Sequence, residues 1–154
     1  MFFLDQIEDS KPQKQKLYVY TDGSYRDGIY SGAFLAYKGT KCIFKDSGIG
    51  TKAASMNNVA GELSAAMRAA VWLSRSGYRG VIVYDYKGIE KWLDGSWRCK
   101  NEYTKQYRDF MAKYVKDGTV EFKWVRGHDG DLGNEQADKL AKEALTKRMR
   151  WKVS

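Results

Sequence analysis

Leu17-Tyr18-Val19-Tyr20, followed directly by Thr21-Asp22-Gly23-Ser24, is the stretch of this chain that decides its fold. Its apolar and aromatic residues predict a β-strand over 17–20, and Asp22-Gly23-Ser24 is typical of a turn that ends the strand. An acid beside a buried strand is costly unless a positive group neutralises it. Asp22 is therefore either a turn residue only or part of a site that binds cations.

The rest of the sequence predicts an α/β domain with one central sheet. Strands over 30–38 and 41–48 follow residues 17–20 as an antiparallel meander, and apolar residues at three- and four-residue steps predict a helix over 59–76. The remaining predictions are a strand at 81–84, a helical turn at 89–93, a helix at 102–115, a strand at 119–125 and a helix at 134–148. We therefore expect a five-stranded mixed sheet, an antiparallel meander plus parallel strands, flanked by helices.

Three more acids occupy local settings comparable to that of Asp22. Glu62 lies in Asn-Asn-Val-Ala-Gly-Glu-Leu at the start of a helix, Asp85 ends the strand Val-Ile-Val-Tyr-Asp, and Asp138 lies within a helix. Hard divalent cations prefer such oxygen ligands. Sites in α/β sheets form beyond the carboxyl ends of parallel strands, where Asp22 and Asp85 are predicted.

Each acid also has a purely structural alternative. Asp22 is suited to a turn, Glu62 to the positive end of a helix dipole, and Asp85 to capping a helix that begins near Lys87. Asp138 is harder to explain in this way, because it shares a helix face with the core-like Ala141. The four acids together favour a metal site.

Composition limits the class of protein. The chain has 154 residues, a length that corresponds to one domain. Its net charge of +8 favours polyanionic partners such as nucleic acid. No apolar run is long enough to span a bilayer, so no membrane association is expected. Cys42 and Cys99 have no paired spacing, which predicts reduced thiols and a cytoplasmic location.

The ends of the chain differ in composition from its middle. Residues 1–16 predict a flexible leader, with a short docking peptide at Phe2-Phe3-Leu4 as the alternative. Residues 17–148 form the predicted domain, and 149–154 form a basic tail that either touches phosphates or frays.

The order of these motifs resembles the ribonuclease H family, most closely its type 1 enzymes, over roughly residues 17–146. The matching residues are Tyr20-Thr21-Asp22-Gly23-Ser24, Asn58, Glu62, Leu63, Asp85, Val125-Arg126-Gly127-His128, Asn134, Ala137, Asp138, Leu140 and Ala141. The resemblance implies a monomeric endonuclease that hydrolyses the RNA strand of RNA–DNA hybrids and leaves 5′-phosphate and 3′-hydroxyl ends. It implies two Mg²⁺ ions, with Mn²⁺ as a substitute, held by Asp22, Glu62, Asp85 and Asp138. Asp22 would bridge both ions and Asp138 would lie on the water-activating side.

The resemblance, together with the positions of residues near the acids, suggests further roles. His128, the single histidine, would shuttle a proton or ease product departure, although a lone histidine is often only a surface residue. Ser24, Asn57 and Asn58 are candidates for contact with the 2′-hydroxyl, with helix capping as the alternative for the asparagines. Asn134 is expected to orient a metal ligand or cap a helix.

The segment between the third and fourth acids departs from the family pattern. Many type 1 relatives carry a basic handle there, whereas residues 86–120 mix basic and acidic side chains. Trp97 and Arg98 remain candidates for packing on the DNA strand, and Trp92 is expected in the core. Tyr86 follows Asp85 where a small polar residue is frequent.

Two other functions remain open at this point. One is a transposase or junction resolvase of the wider fold, against which Glu62 and the Gly127-His128 loop argue. The other is an inactive module that binds hybrid or double-stranded RNA, against which the presence of all four acids argues.

Overall fold

The computed structural model describes residues 14–127 and 132–154, and these form an α/β domain. In chain order the elements are β1 (Lys16–Arg26), β2 (Ile29–Lys38), β3 (Lys41–Gly50), a 3₁₀ turn (Ala54–Met56), α1 (Asn58–Ser76), β4 (Arg79–Tyr84), α2 (Gly88–Asp94), α3 (Glu102–Lys116), β5 (Val120–Trp124) and α4 (Leu132–Lys147). His128 and its neighbours 129–131 lie outside the described residues, as do residues 1–13.

The five strands form one mixed sheet in the order β3-β2-β1-β4-β5. β1 pairs antiparallel with β2, and β2 with β3, whereas β1–β4 and β4–β5 are parallel. The predicted antiparallel meander followed by parallel crossovers is therefore confirmed. Among the described residues, no helix combines the length and apolar character needed to cross a membrane.

Helices cover both faces of the sheet. Successive side chains of a strand point to opposite faces. Val19 belongs to the core cluster that includes Leu63 and Leu73 of α1, whereas the next residue, Tyr20, lies against Gly133 of α4. α1 and α4 therefore pack on opposite sides of β1.

The predicted turn at Asp22-Gly23-Ser24 is wrong. β1 continues to Arg26, and Asp22 pairs with Ala33 of β2 inside the antiparallel ladder. The hairpin turn comes later, at Asp27 and Gly28, whose φ values are +52° and +80°. Asp27-Gly28 is the turn chemistry that a tight hairpin requires.

The two ends of the described chain are more ordered than the sequence suggested. β1 begins at Lys16, and the Gln15 carbonyl accepts a hydrogen bond of 3.1 Å from the Arg79 amide, so this part of the predicted leader belongs to the fold. Residues 149–154, predicted as a basic tail, pack onto the domain. Trp151 stacks on Phe34 with ring centroids 6.4 Å apart, and Val153 is buried.

Candidate active site

Asp22 and Asp85 are supplied by adjacent parallel strands. The β1–β4 pairing ends at Tyr20 and Val83, so Asp22 lies on the part of β1 that extends beyond β4. Asp85 directly follows β4. Both carboxylates therefore lie at the carboxyl end of the parallel pair, which is where this class of sheet forms its sites.

Glu62 reaches the same point because α1 approaches the sheet unusually closely. A Cβ atom added at Gly23 would lie 2.5 Å from both the Asn58 carbonyl oxygen and the Glu62 amide nitrogen. A Cβ atom at Gly61 would collide with the Ser31 carbonyl oxygen. Only glycine permits this backbone contact. The signal for it was present in the sequence, since each of these two acids has a glycine beside it.

The first three acids form a compact cluster. One carboxylate oxygen each from Asp22, Glu62 and Asp85 lies within 4.8 Å of the others. Asp22 and Glu62 are 7% and 2% exposed, and their carboxyl groups face each other. The Gly23 amide donates a hydrogen bond of 2.8 Å to Asp22 Oδ1. This arrangement concentrates negative charge where solvent cannot screen it.

The electrostatics of the pair show the effect of this crowding. Burial, opposed by the hydrogen bond with Glu62 and reinforced by the charges of Asp85 and Asp138, raises the pKa of Asp22 to about 6. Burial, together with the charges of Asp22 and Asp85, raises the pKa of Glu62 well above its usual value. A cation bound between such carboxyl groups would stabilise their ionised form.

The residues present fit a divalent cation. Glu62 Oε2 is buried and has no hydrogen-bond partner among the described residues. A buried carboxylate oxygen without a donor is costly, and a hard cation that prefers oxygen ligands would satisfy it.

Asp138 lines the same cleft from α4 but is held differently. Its carboxylate forms an ion pair of 3.1 Å with Lys142 one turn later, and its side chain is 32% exposed. Ala141, predicted to share its helix face, is buried. The cleft thus brings together all four predicted acids, three in a tight cluster and the fourth on the facing helix.

The cleft has a volume of about 750 Å³ and includes most of the other predicted site residues. Its walls contain Ser24, Asn57, Asn58 and Asn134 together with the four acids. Trp97 and Arg98 lie outside this lining, and Trp97 reaches the cleft only through a ring contact with Tyr86 at 6.1 Å. Trp92, expected in the core, does pack against it. His128 lies outside the described residues.

The structural alternatives for Asp22 and Glu62 are not what the structure shows. Glu62 is the fifth residue of α1, beyond its first turn, and Asp22 is not in a turn. α2 begins at Gly88, and the side chain of Lys87, the residue before it, makes no capping hydrogen bond. Asn57 precedes α1 and likewise makes no side-chain capping hydrogen bond.

Several residues that line the cleft have no site role predicted from the sequence. Tyr86, Gly127, Glu135 and Lys142 all border the cleft. Tyr86 had been noted only as a departure from the family pattern. Its pKa is raised, first by burial and then by the charge of Glu62. Lys142 could have been found from its position one helical turn after Asp138.

The sequence matches the family described as RNase H over residues 14–146. The chain belongs to the ribonuclease H family. A ribonuclease H of Pseudomonas aeruginosa (strain LESB58) is 32% identical over 145 residues, which cover 86% of this chain and 95% of that relative. The resemblance inferred from the motifs is confirmed, and the chain is an enzyme of the ribonuclease H class.

Solved ribonuclease H structures share the fold. RNase H1 from Halobacterium salinarum NRC-1 aligns with a TM-score of 0.71 at 22% identity, covering 86% of this chain and 98% of that one. LC11-RNase H1, solved in complex with an RNA/DNA hybrid, aligns with a TM-score of 0.71 at 18% identity, covering 85% and 97%. The predicted ribonuclease H-like fold is therefore confirmed.

Proposed function

We propose that this protein is an endonuclease that hydrolyses the RNA strand of RNA–DNA hybrids and leaves 5′-phosphate and 3′-hydroxyl ends. The observation that carries the proposal is the cluster of Asp22, Glu62 and Asp85, whose carboxylate oxygens lie within 4.8 Å of one another. Membership of the ribonuclease H family and the hybrid bound to LC11-RNase H1 support the choice of substrate.

The four acids would hold two Mg²⁺ ions, with Mn²⁺ as a substitute. When bound, such a pair of ions neutralises the charge on the attacking and leaving oxygens of an in-line phosphoryl displacement. Asp22 is the proposed shared ligand, because it lies in the cluster with Glu62 and Asp85 and is also close enough to Asp138 for that charge to raise its pKa. Asp138 is the proposed ligand on the water side, since its side chain is 32% exposed.

The proposed reaction breaks the bond between phosphorus and the 3′ oxygen. The oxygen of water bonds to phosphorus, and the departing 3′ oxygen takes a proton, which gives the two expected ends. His128 is the proposed group that shuttles a proton or eases product departure, although it lies outside the described residues.

We expect His128→Ala to lose about 10²-fold in rate but not all activity, since general acid–base groups contribute typically 10²–10⁴-fold. Single-turnover rates at saturating hybrid would measure this loss.

Selection for RNA requires contact with the 2′-hydroxyl. Asn57, Asn58 and Ser24 line the cleft beside the acids and carry groups that can donate to or accept from that hydroxyl. Asn57 has φ +56° and ψ −134°, a conformation that non-glycine residues rarely adopt. Strain of this kind at a cleft is typical of a residue held for function.

The DNA strand would run past the aromatic residues at the edge of the cleft. Trp97 is 37% exposed and contacts Tyr86 and Trp92 edge-on, and Arg98 is exposed beside it. Aromatic and guanidinium groups pack well on nucleic acid. The net charge of +8 supports the remaining phosphate contacts.

The test compares three labelled substrates: an RNA–DNA hybrid, double-stranded RNA and double-stranded DNA, each with Mg²⁺ and with chelator. We expect cutting of the RNA strand of the hybrid only, and only with metal. End analysis should find 3′-hydroxyl groups that a ligase accepts. Cutting of double-stranded DNA would favour a resolvase-like or transposase-like enzyme, and binding without cutting would favour an inactive module.

The cellular setting is also a proposal. The free thiols of Cys42 and Cys99 fit a reducing compartment, and the cytoplasm is the proposed location. A monomer is the proposed state, which light scattering at several concentrations would test.

A further inference from the structure

Asp85 lies where the sheet no longer fixes the chain. The parallel pairing of β4 with β5 ends at Tyr84 and Trp124. Just beyond it, the Val125 amide donates a hydrogen bond of 2.8 Å to the Tyr84 carbonyl. Asp85 itself is in a bend between β4 and α2. A metal ligand at this position needs some other group to fix its backbone.

The indole of Trp124 supplies that contact. Its Nε1–H donates a hydrogen bond of 2.7 Å to the Asp85 carbonyl oxygen, so a side chain extends the ladder by one residue. The ammonium group of Lys87 lies 5.2 Å from the centre of the Trp124 ring. The ring is therefore held by residues on the bend that carries Asp85, although it is 42% exposed.

The Asp85 carboxylate lies near Gly127, which follows Trp124 in the chain. A Cβ atom added at Gly127 would lie 3.1 Å from Asp85 Oδ2, closer than ordinary van der Waals contact. Gly127 is three residues after Trp124. Trp124 therefore binds the Asp85 carbonyl, and Gly127 leaves room for the Asp85 carboxylate.

We infer that Trp124 is a positioning residue of the acidic cleft, whose indole N–H orients the Asp85 carboxylate for metal binding. The inference rests on the proposed metal-binding role of Asp85. Groups that hydrogen-bond around a metal ligand typically cost 10–100-fold in metal affinity or activity when they are removed. A ring that merely covered the surface would need no donor and would tolerate phenylalanine.

The decisive variant is Trp124→Phe, which keeps an aromatic ring beside Lys87 and removes the donor. Its matched control is Trp72→Phe in α1, where the indole stacks on Phe44 with centroids 4.8 Å apart. Calorimetry would measure Mn²⁺ and Mg²⁺ binding, and hydrolysis rates would be measured across Mg²⁺ concentrations. We expect Trp124→Phe to bind metal about 10-fold more weakly, with kcat largely recovered at saturating Mg²⁺. Trp72→Phe should leave metal affinity within about twofold of the wild type, because its ring lies roughly 15 Å along the helix from Glu62.

A second measurement uses the indole proton itself. The Trp124 indole N–H proton should exchange slowly with solvent. Its signal in ¹⁵N spectra should broaden when Mn²⁺ is added. If Trp124→Phe does not fold, site-specific replacement by benzothienylalanine, which has sulfur in place of the N–H, serves as the test variant. It should show the same 10-fold loss of metal affinity.

The outcomes separate this inference from the proposed function. If the wild type binds metal and cuts the hybrid, but the donor-free variants bind metal as tightly, Trp124 has no positioning role. If the wild type neither binds metal nor cuts, the proposed function fails first, and the positioning role of Trp124 fails with it.

Discussion

Two acidic residues of this domain are almost equally buried and have opposite surroundings. Asp46 of β3 is 3% exposed and Glu62 of α1 is 2% exposed. The Asp46 carboxylate accepts backbone hydrogen bonds from Ser47 at 2.9 Å, from Lys152 at 3.0 and 3.1 Å and from Val153 at 2.9 Å. Glu62 instead faces the carboxylates of Asp22 and Asp85.

Burial alone therefore does not identify an acidic residue as part of a functional site. Asp46 is buried at low cost, because backbone N–H groups satisfy its charge, and it fastens residues 152 and 153 to β3. The guanidinium of Arg68 donates to the Val153 carbonyl and strengthens the same attachment. Glu62 is buried among like charges, so its environment is complete only when a cation is present. The first acid should matter for stability and the second for activity.

The largest expected effect contrasts Asp22→Asn with Asp46→Asn. Asp22→Asn should reduce hybrid hydrolysis by about 10³-fold or more, since metal ions contribute several kcal/mol of charge stabilisation in the transition state. In chelator it should melt no lower than the wild type, because it relieves repulsion. Asp46→Asn should retain activity within about twofold at a temperature where it is folded. Steady-state rates and melting curves test both, and a similar loss of activity in the two variants would remove the distinction.

The next effect concerns the stability that Asp46 supplies. Asp46→Ala leaves the backbone N–H groups of Lys152 and Val153 without their acceptor, and each unsatisfied buried donor costs roughly 1–3 kcal/mol. We expect the free energy of unfolding in urea to fall by about 3 kcal/mol. Asp109→Ala, which removes an exposed acid paired with Arg108, is the matched control and should change stability by less than about 0.5 kcal/mol. An unchanged Asp46→Ala protein would mean that the attachment is dispensable.

The pH dependence of stability should have a sign set by Asp22 and Glu62. Their pKa values are raised in the folded protein, so the folded state binds more protons than the unfolded one, and stability falls as the pH rises. For Asp22 the window runs from 3.8 to about 6, which corresponds to a loss on the order of 3 kcal/mol in chelator. Mg²⁺ should reduce this loss by favouring the ionised carboxylates.

Asp22→Asn provides the control for that titration. Exposed acids with lowered pKa values, such as Glu121 and Glu143, change stability in the opposite direction below about pH 4, and they do so in both proteins. The difference between wild type and variant therefore isolates the cleft. Parallel dependence of stability on pH in the two proteins from pH 4 to 7 would contradict the raised pKa that burial and neighbouring charges give Asp22.

The smallest expected effect concerns Asp138, whose partner Lys142 is exposed. Its exposed ion pair with Lys142 should stabilise the fold by only about 0.3–0.5 kcal/mol. Lys142→Ala, compared with Lys147→Ala at the analogous pair with Glu143, measures this by urea unfolding. A loss above about 1 kcal/mol for Lys142→Ala alone would mean that Asp138, like Asp46, contributes mainly to stability.

The sequence predicted the sheet because its strands and helices have clear periodicity and because Asp22, Glu62, Asp85 and Asp138 occur in a family order. It failed at Asp22-Gly23-Ser24, where glycine serves close packing against α1 and not a turn. Local sequence cannot distinguish these two uses of glycine, because the second depends on a helix forty residues away.

The role of Asp46 could not be predicted for a similar reason. Its hydrogen-bond donors come from Lys152 and Val153, 106 and 107 residues later, in a segment whose basic composition suggested a loose tail. Trp151 gave a weak signal, since a lone tryptophan among basic residues seldom faces solvent entirely. Tertiary contacts of this range leave no periodic pattern in the sequence.

The contact between Gly23 and Gly61 has one further consequence. Because peptide atoms set the gap between β1 and α1, the size of ion that the proposed metal site would accept is a property of the main chain. Exchanging aspartate for glutamate would change the reach of a ligand but not the width of that gap. An engineer who wanted the pocket to prefer calcium over magnesium would therefore have to move a helix.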